Sequence, residues 1–147
     1  MSNEIAKKDW AEEAAIAPVA ADVLTQEVNP FVSFKVETPA DQIKLYNAMN
    51  SPQYRVADMI NKPISMVDAV LVPCQLVREE TGEVYDAIRA IIIDADGNTF
   101  AATSTGIVSS LRNIYNVFHT LHFDEPLKVT VQQVTVKRGN TLTLKLG

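Results

Sequence analysis

The feature that most constrains the fold of this chain is the order of its β-prone and helical segments after Ile64. Three β-prone runs come first, then a helical segment, then two more runs. The runs are residues 64–78, 84–94, 99–104, 127–137 and 141–146. Between the first two lies a Gly82-containing loop, and Asp96-Gly97 is typical of a hairpin turn. The sequence therefore predicts the order β-β-β-α-β-β.

The helical segment begins at Thr105-Gly106 and carries an apolar stripe at helical spacing. The stripe comprises Ile107, Val108, Leu111, Ile114, Tyr115 and Phe118. Five short strands leave apolar edges exposed unless the sheet closes on itself. A small barrel with a helix between its third and fourth strands is the arrangement of the OB-fold, so we predict a mainly β protein with a five-stranded OB-fold barrel. Other small α+β meanders would have the same element order.

An N-terminal extension precedes the barrel. Residues 31–36 alternate as a short strand does, and Thr38-Pro39 with Asp41 is a helix start: an N-cap hydroxyl, a first-turn proline and an acid near the helix N-terminus. Ser51-Pro52 repeats the signal for a shorter turn, which ends before Pro63. We predict one OB-fold domain with this strand/helix extension over residues 30–147.

Two irregularities are expected within the strands. Pro73 cannot donate a hydrogen bond to a neighbouring strand, so it predicts a bend, a bulge or an edge position. The apolar positions of the fourth strand change parity through Gln132-Gln133, which predicts a bulge there.

Charge is unevenly distributed along the chain. The net charge of −5 excludes a uniformly basic coat, but residues 1–29 alone carry −4, whereas residues 126–147 hold four cations and no acid. Residues 1–29 are predicted to be a flexible acidic segment. The alternative is an acidic arm that competes with a polyanion for a basic groove or docks a partner protein.

Composition excludes several other classes. The single cysteine, Cys74, excludes an internal disulfide and a cysteine zinc cluster. No apolar run approaches the length of a membrane span, and acidic residues interrupt the alanine-rich N-terminus, so no secretory signal is expected. The sequence predicts a soluble, cytoplasmic protein that does not bind a membrane.

Enzyme motifs are missing from the sequence. It has no nucleophile elbow and no glycine-rich phosphate loop, and residues 94–99 lack the closing ligand of a calcium loop. His119, His122 and Asp124 lie close together, yet a metal site needs more ligands than they supply. We therefore expect a protein that is not an enzyme and has no cofactor.

Binding chemistry is better supported. Tyr85 and Arg89 lie on one face of the second strand, on either side of Ala87, which suits a base stacked on the ring and a phosphate paired with the guanidinium. Phe100 on the third strand is expected to extend that surface. The alternatives are core packing for both rings and a solvated ion pair for Arg89.

Two further groups complete the predicted site. Lys137, Arg138 and Lys145 form an acid-free hairpin around Gly139, and the fourth loop of an OB-fold flanks its ligand groove. Tyr54-Arg55 precedes the barrel and is placed over its mouth, with capping and packing roles as the alternative. The whole pattern predicts binding of single-stranded nucleic acid.

Several short motifs carry a resemblance to a known family. They are Leu45-Tyr-Asn-Ala-Met-Asn-Ser-Pro52, Ile60-Asn-Lys62, Glu80-Thr-Gly-Glu83, Asp94-Ala-Asp-Gly97 and Ala102-Thr-Ser-Thr-Gly106. From Phe31 to the C-terminus the chain resembles the small single-stranded DNA-binding proteins of tailed bacteriophages, especially phages of Gram-positive bacteria. The resemblance implies an OB-fold that coats single-stranded DNA without sequence preference during phage replication or recombination, in the host cytoplasm. The resemblance does not identify individual binding residues in this sequence.

Two rival functions remain open. A β-barrel adaptor would bind another protein, such as a phage replication protein, through the acidic segment or a strand edge, without binding nucleic acid. A metal-dependent nuclease would use Asp94, Asp96 or the histidines. The oligomeric state is left open by the sequence.

Overall fold

A computed structural model describes residues 29–137 and 139–147. The predicted acidic segment, apart from Asn29, and Arg138 therefore lie outside the described residues. The elements are β1 (Phe31–Val32), α1 (Pro39–Asn50), β2 (Tyr54–Arg55), a 3-10 turn (Val56–Met59), β3 (Pro63–Val77), β4 (Val84–Asp94), β5 (Thr99–Ala102), α2 (Thr105–Phe118), β6 (Leu127–Val136) and β7 (Gly139–Leu146).

One curled sheet contains all of the described strands, in the order β2-β5-β4-β3-β6-β7, with β1 on the free side of β3. The strand β3 joins its two halves: Pro63–Met66 pairs with β6 and the remainder pairs with β4. The predicted order β-β-β-α-β-β is confirmed as β3, β4, β5, α2, β6 and β7, in a mainly β, OB-like half-barrel. The sheet has seven strands instead of five because β1 and β2 add two-residue strands to it.

The barrel interior is filled by the apolar stripe of α2. Ile107, Leu111 and Ile114 pack against the inner face of the sheet, which includes Ile92 of β4 and Val131 of β6. Tyr115 and Phe118, at the margin of the stripe, remain about two-fifths exposed, at 43% and 41%. The predicted amphipathic helix is therefore confirmed, and its burial holds the two halves of the sheet together.

The outer face of the sheet is covered by α1. Ala48 of the helix is buried against Val70, Ile91 and Ile93 of β3 and β4. The helix begins as predicted, with the Thr38 hydroxyl accepting from the Asp41 backbone N–H and the Asp41 carboxylate accepting from the Thr38 backbone N–H. Hydrogen bonds from the backbone N–H groups of Glu37 and Thr38 lower the pKa of Asp41.

The irregularities lie elsewhere than predicted. The register of β3 shifts at Val67, between Met66 and Asp68, so that the core-facing positions change from Ile64 and Met66 to Ala69. Pro73 lies beyond β1, where β3 pairs on one side only, which confirms the edge alternative. The bulge expected at Gln132-Gln133 is wrong, because β6 and β7 pair without a register shift.

The sheet closes through α2 instead of through pairing of β5 with β7. Gly106 packs so tightly on β7 that an added Cβ would collide with the Leu142 carbonyl oxygen. The Ser104 and Thr141 hydroxyls are 3.2 Å apart, and Ser110 Oγ accepts from the Leu144 backbone N–H at 3.1 Å. The first turns of α2 therefore bridge the seam, by which we mean the gap between the end of β5 and β7.

A polar network ties the extension to the barrel. The buried Asp68 carboxylate accepts from Ser33 Oγ at 2.8 Å and lies 3.4 Å from Lys44 Nζ. It is also 2.7 Å from His122 Nδ1, while His122 Nε2 lies 3.1 Å from Asp124. Because a buried carboxylate is costly unless it is paired, this network holds β1, α1 and the loop after α2 on β3.

The network predicts a pH-dependent stability. The hydrogen bond to Asp68 is the largest cause of a raised pKa of His122. A raised pKa means that the folded state holds the proton more tightly, so this stabilisation is complete below about pH 6.5 and is lost as the pH rises through the folded-state pKa. We expect the contribution of His122 to the urea midpoint, taken as wild type minus His122→Gln, to shrink as the pH rises from about 5.5 to about 8.5.

His119 provides the matched control for this measurement. It ends α2 with a left-handed backbone, φ 61°, which asparagine tolerates. The variant His119→Asn should keep the pH dependence of the wild type. A His122→Gln variant with the same dependence as the wild type would contradict this assignment.

Candidate nucleic-acid interface

A groove of about 320 Å³ lies along the seam, and it brings two of the predicted site residues together. Arg55 of β2 and Arg89 of β4 line it, and Leu142 of β7 lies on its other wall. Arg55 is paired with Ala101, which is paired with Ile91, and Arg89 lies two residues from Ile91 along β4. The backbones of the two arginines are therefore about 12 Å apart, with only β5 between their strands. The groove is therefore flanked by two guanidinium groups.

The two arginines are held in different ways. Arg55 forms a surface ion pair with Asp58, Nη2 to Oδ1 at 3.0 Å, and this hydrogen bond raises the pKa of Arg55. Arg89 Nη1 donates to the Met49 carbonyl at the end of α1, at 3.3 Å. An exposed ion pair contributes little net stability, so a phosphate could replace Asp58 at Arg55 at small cost. Arg89 is anchored by a helix end.

Tyr54 lies at the edge of the sheet, next to Arg55 in β2 but on the opposite face of the strand, which is the face that it shares with its partner Phe100. Its ring stacks on Phe100, with centroids 5.4 Å apart and planes inclined by 27°. Tyr54 is 50% exposed, whereas Phe100 is 5% exposed and belongs to the main core. An open ring supported by a buried ring is a rigid platform that suits a stacked base.

The prediction that Phe100 extends the surface of Tyr85 and Arg89 is wrong. Phe100 is paired with Ile92, whose side chain points into the barrel, whereas Tyr85 and Arg89 lie on the outer face. Because adjacent strands in register share their faces, Phe100 must point inward as well. The Phe100 ring packs against the Tyr54 ring on the same face of the sheet and is too buried to contact a ligand.

Tyr85 does not line the groove. It shares the outer face with Arg89 but lies four residues before it in β4, about 13 Å away. The Arg78 guanidinium lies over its ring, 4.4 Å from the centroid. The structure thus separates Tyr85 from Arg89, and one face of its ring is already in contact with a cation.

The terminal hairpin is extended, and its cations do not cluster. Lys137 is at the tip of the hairpin, about three residues beyond the part of it that forms the seam (Thr141 and Leu142). Lys145 is six residues from Gly139, or about 20 Å along β7 from the tip. Lys145 instead lies near Lys128: the partner of Lys145 is Thr130, two residues along β6 from Lys128. Arg138 lies outside the described residues.

Comparison with known proteins decides the family. The sequence model of a family described as "Phage Single-stranded DNA-binding protein" matches residues 25–147. The chain belongs to this phage single-stranded DNA-binding protein family. It is also 23% identical to the single-stranded DNA-binding protein of Bacillus phage GA-1, over 99% of this chain and 96% of that protein. No solved structure matches.

Membership in the phage single-stranded DNA-binding protein family confirms the predicted resemblance and the predicted ligand. It favours DNA binding over the adaptor alternative, and the family is one of binding proteins. Within the described ranges, no helix is long and apolar enough to cross a membrane. In those ranges no group of three histidine, cysteine or acidic residues is placed to hold a metal ion.

Several residues of the groove in this phage single-stranded DNA-binding protein were not predicted from its sequence. They are small: Ala57, Ala101, Ala102, Thr103 and Ser104. Alanine and serine carry no recognisable binding chemistry, and their contribution here is the space that they leave beside the arginines. Only the pairing of β2 with β5 and the approach of β7 bring them together.

Proposed function

We propose that this protein coats single-stranded DNA without sequence specificity during phage DNA replication or recombination, and that the strand passes along the seam groove. The observation that carries this site is the groove lined by Arg55 and Arg89, at the sheet edge where the adjacent Tyr54 presents a half-exposed ring stacked on Phe100. The work of such a protein is done in the host cytoplasm and requires no cofactor or covalent step.

Each group has a distinct role in the proposed complex. Arg55 and Arg89 pair with successive phosphates, which accounts for affinity but reads no sequence. Tyr54 stacks a base through its open face, and every base has a ring face to offer. Lys137 extends the cationic track at the hairpin tip, and Arg138, its neighbour in sequence, is proposed to add its charge to the same phosphate contacts.

The proposed interface is smaller than the set predicted from the sequence. Tyr85 and Lys145 lie away from the seam and Phe100 is buried, so we leave these three out. Tyr54 and Lys137 do not line the groove itself and are kept for their positions at the sheet edge next to Arg55 and at the hairpin tip. Residues 1–29 are outside this interface as we propose it, and their acidic character leaves a protein partner in phage replication as their proposed role.

The salt dependence of binding tests the site. Titration of labelled oligo-dT by fluorescence anisotropy over a range of salt should show affinity falling linearly on a log–log plot. Each lost phosphate contact should reduce the slope by about 0.7, so Arg55→Gln and Lys137→Gln should each have a shallower slope than the wild type.

Lys35 supplies the matched control, because it is an exposed cation in the loop before α1 and does not line the groove. Lys35→Gln should leave the slope unchanged. Equal slopes for Lys35→Gln and Arg55→Gln would remove the seam as the binding site. Failure of the wild type to bind oligo-dT at low salt would remove the proposed function.

A further inference from the structure

We propose that a second copy of this chain docks on the arm formed by the ends of β3 and β4, with the acidic tip of the arm against Lys128 and Lys145 of the neighbour. The arm comprises residues 72–89. This proposal rests on the proposed function, since coating brings copies side by side on one DNA strand.

The arm is an unpartnered two-stranded ribbon. Past Leu71, the last residue of β3 that pairs with β1, β3 pairs only with β4, and β4 pairs with β5 only from Ala90 onward. Six residue pairs therefore project from the barrel, a reach of about 20 Å. The directly opposed Val77 and Val84 are 61% and 55% exposed. An isolated two-stranded ribbon is only marginally stable in water, so a partner would stabilise it.

The tip of the arm is acidic. Residues 78–86 carry a net charge of −3. Arg78 is engaged within the arm, 3.4 Å from Glu83 and over the ring of Tyr85. Glu79 and Glu80 are exposed, and within the described part of the chain neither has a cation within 4.0 Å. These two carboxylates are free to meet a basic partner.

A matching basic pair lies on the outer face of the terminal hairpin. Lys145 is opposite Thr130, and Lys128 is two residues along β6, so the two lysines are diagonal neighbours about 7–8 Å apart. Both are exposed, and neither has a carboxylate within 4.0 Å among the described residues. The nearby Asp124 faces His122.

The acidic tip cannot contact Lys128 and Lys145 of its own molecule. Lys128 is paired with Ser65 near the start of β3, whereas the tip follows Val77, twelve residues or about 40 Å further along that strand. Two complementary patches at different places on one molecule produce a head-to-tail contact, which can repeat from copy to copy. Such a contact suits a row of copies along DNA, and the acidic tip that makes it lies about 20 Å along the arm from Arg89 of the seam groove.

Charge reversal tests the contact. Binding should be measured both to an oligo-dT that holds one copy and to long poly-dT, with cooperativity taken from the difference. Glu79→Lys/Glu80→Lys should lower the cooperativity at least about tenfold, because it opposes like charges, and should leave single-copy affinity equal or higher. Glu37→Lys, an exposed acid outside the arm, is the control and should not change cooperativity.

The charge swap makes the test specific. Lys128→Glu/Lys145→Glu should lose cooperativity as well, and combining all four substitutions should restore most of it. Unchanged cooperativity in the arm variant, a swap that restores nothing, or a wild type without cooperativity would overturn this contact. If the wild type did not bind the oligo-dT that holds one copy, the result would instead count against the proposed function.

Discussion

Gly106→Ala should lower the free energy of unfolding by about 1–3 kcal/mol, a loss that overpacking in a tight contact produces. In a helix, alanine is ordinarily favoured over glycine by about 1 kcal/mol, so propensity alone predicts the opposite sign. The sign is reversed here because the new methyl group would meet the backbone of β7 at the Leu142 carbonyl. Urea unfolding followed by circular dichroism would measure the change.

The expected loss follows from what this contact does. The backbone of β7 cannot move away without weakening its pairing with β6 or the hydrogen bond from Leu144 to Ser110. Ser109→Ala is the matched control, since Ser109 is exposed on the same helix and its substitution should be neutral within about 0.5 kcal/mol. If Gly106→Ala were as stable as the wild type, the helix would not be what holds the seam.

Tyr54→Ala should weaken binding of oligo-dT by about 1–3 kcal/mol, or roughly 5- to 150-fold in Kd. The ring is half exposed and rests on Phe100, so its removal takes away the surface on which a base would stack. Tyr54→Phe should retain most of the affinity, because stacking uses the ring and not the hydroxyl group. Anisotropy titration at one fixed salt concentration gives both values.

Two controls separate stacking from packing in that experiment. Tyr54→Leu keeps an apolar cover over Phe100 but removes the aromatic face, so it should bind nearly as poorly as Tyr54→Ala. Tyr46→Ala removes another exposed tyrosine, which belongs to α1 and not to the sheet edge at Arg55, and it should bind like the wild type. Wild-type affinity in Tyr54→Leu would show that no base stacks on this residue.

The elements of the fold were largely predictable because their signals are local. The N-cap at Thr38 and the apolar stripe of α2 both depend on residues within a few positions of one another, and the structure confirms both. The edge position of Pro73 was among the alternatives that its missing N–H predicts, whereas the β3 bulge at Val67 was not predicted, because that shift changes only which apolar residues face inward.

The site was predicted less well, for a physical reason. Strand parity correctly placed Tyr85 and Arg89 on one face of β4. It contains no information about which residues of the neighbouring strands are paired with them. The register that aligns Phe100 with Ile92 turned that ring inward, and the position of Arg78 covered the ring of Tyr85. Tyr54 was a candidate only because it precedes the barrel, and the pairing of β2 with β5 is what places its ring on Phe100.

By itself the amino-acid sequence determined the order of the elements, the family resemblance and the separation of acidic and basic segments, since each depends on residues that are close along the chain. Only the tertiary structure decided that Arg55, Arg89 and Leu142 share a groove and that Phe100 supports Tyr54. These contacts join residues far apart in sequence. The pairing of β2 with β5 places Arg55 one strand from β4 and Tyr54 on Phe100, and the packing of Gly106 on β7 brings Leu142 to the groove. No local pattern specifies either approach.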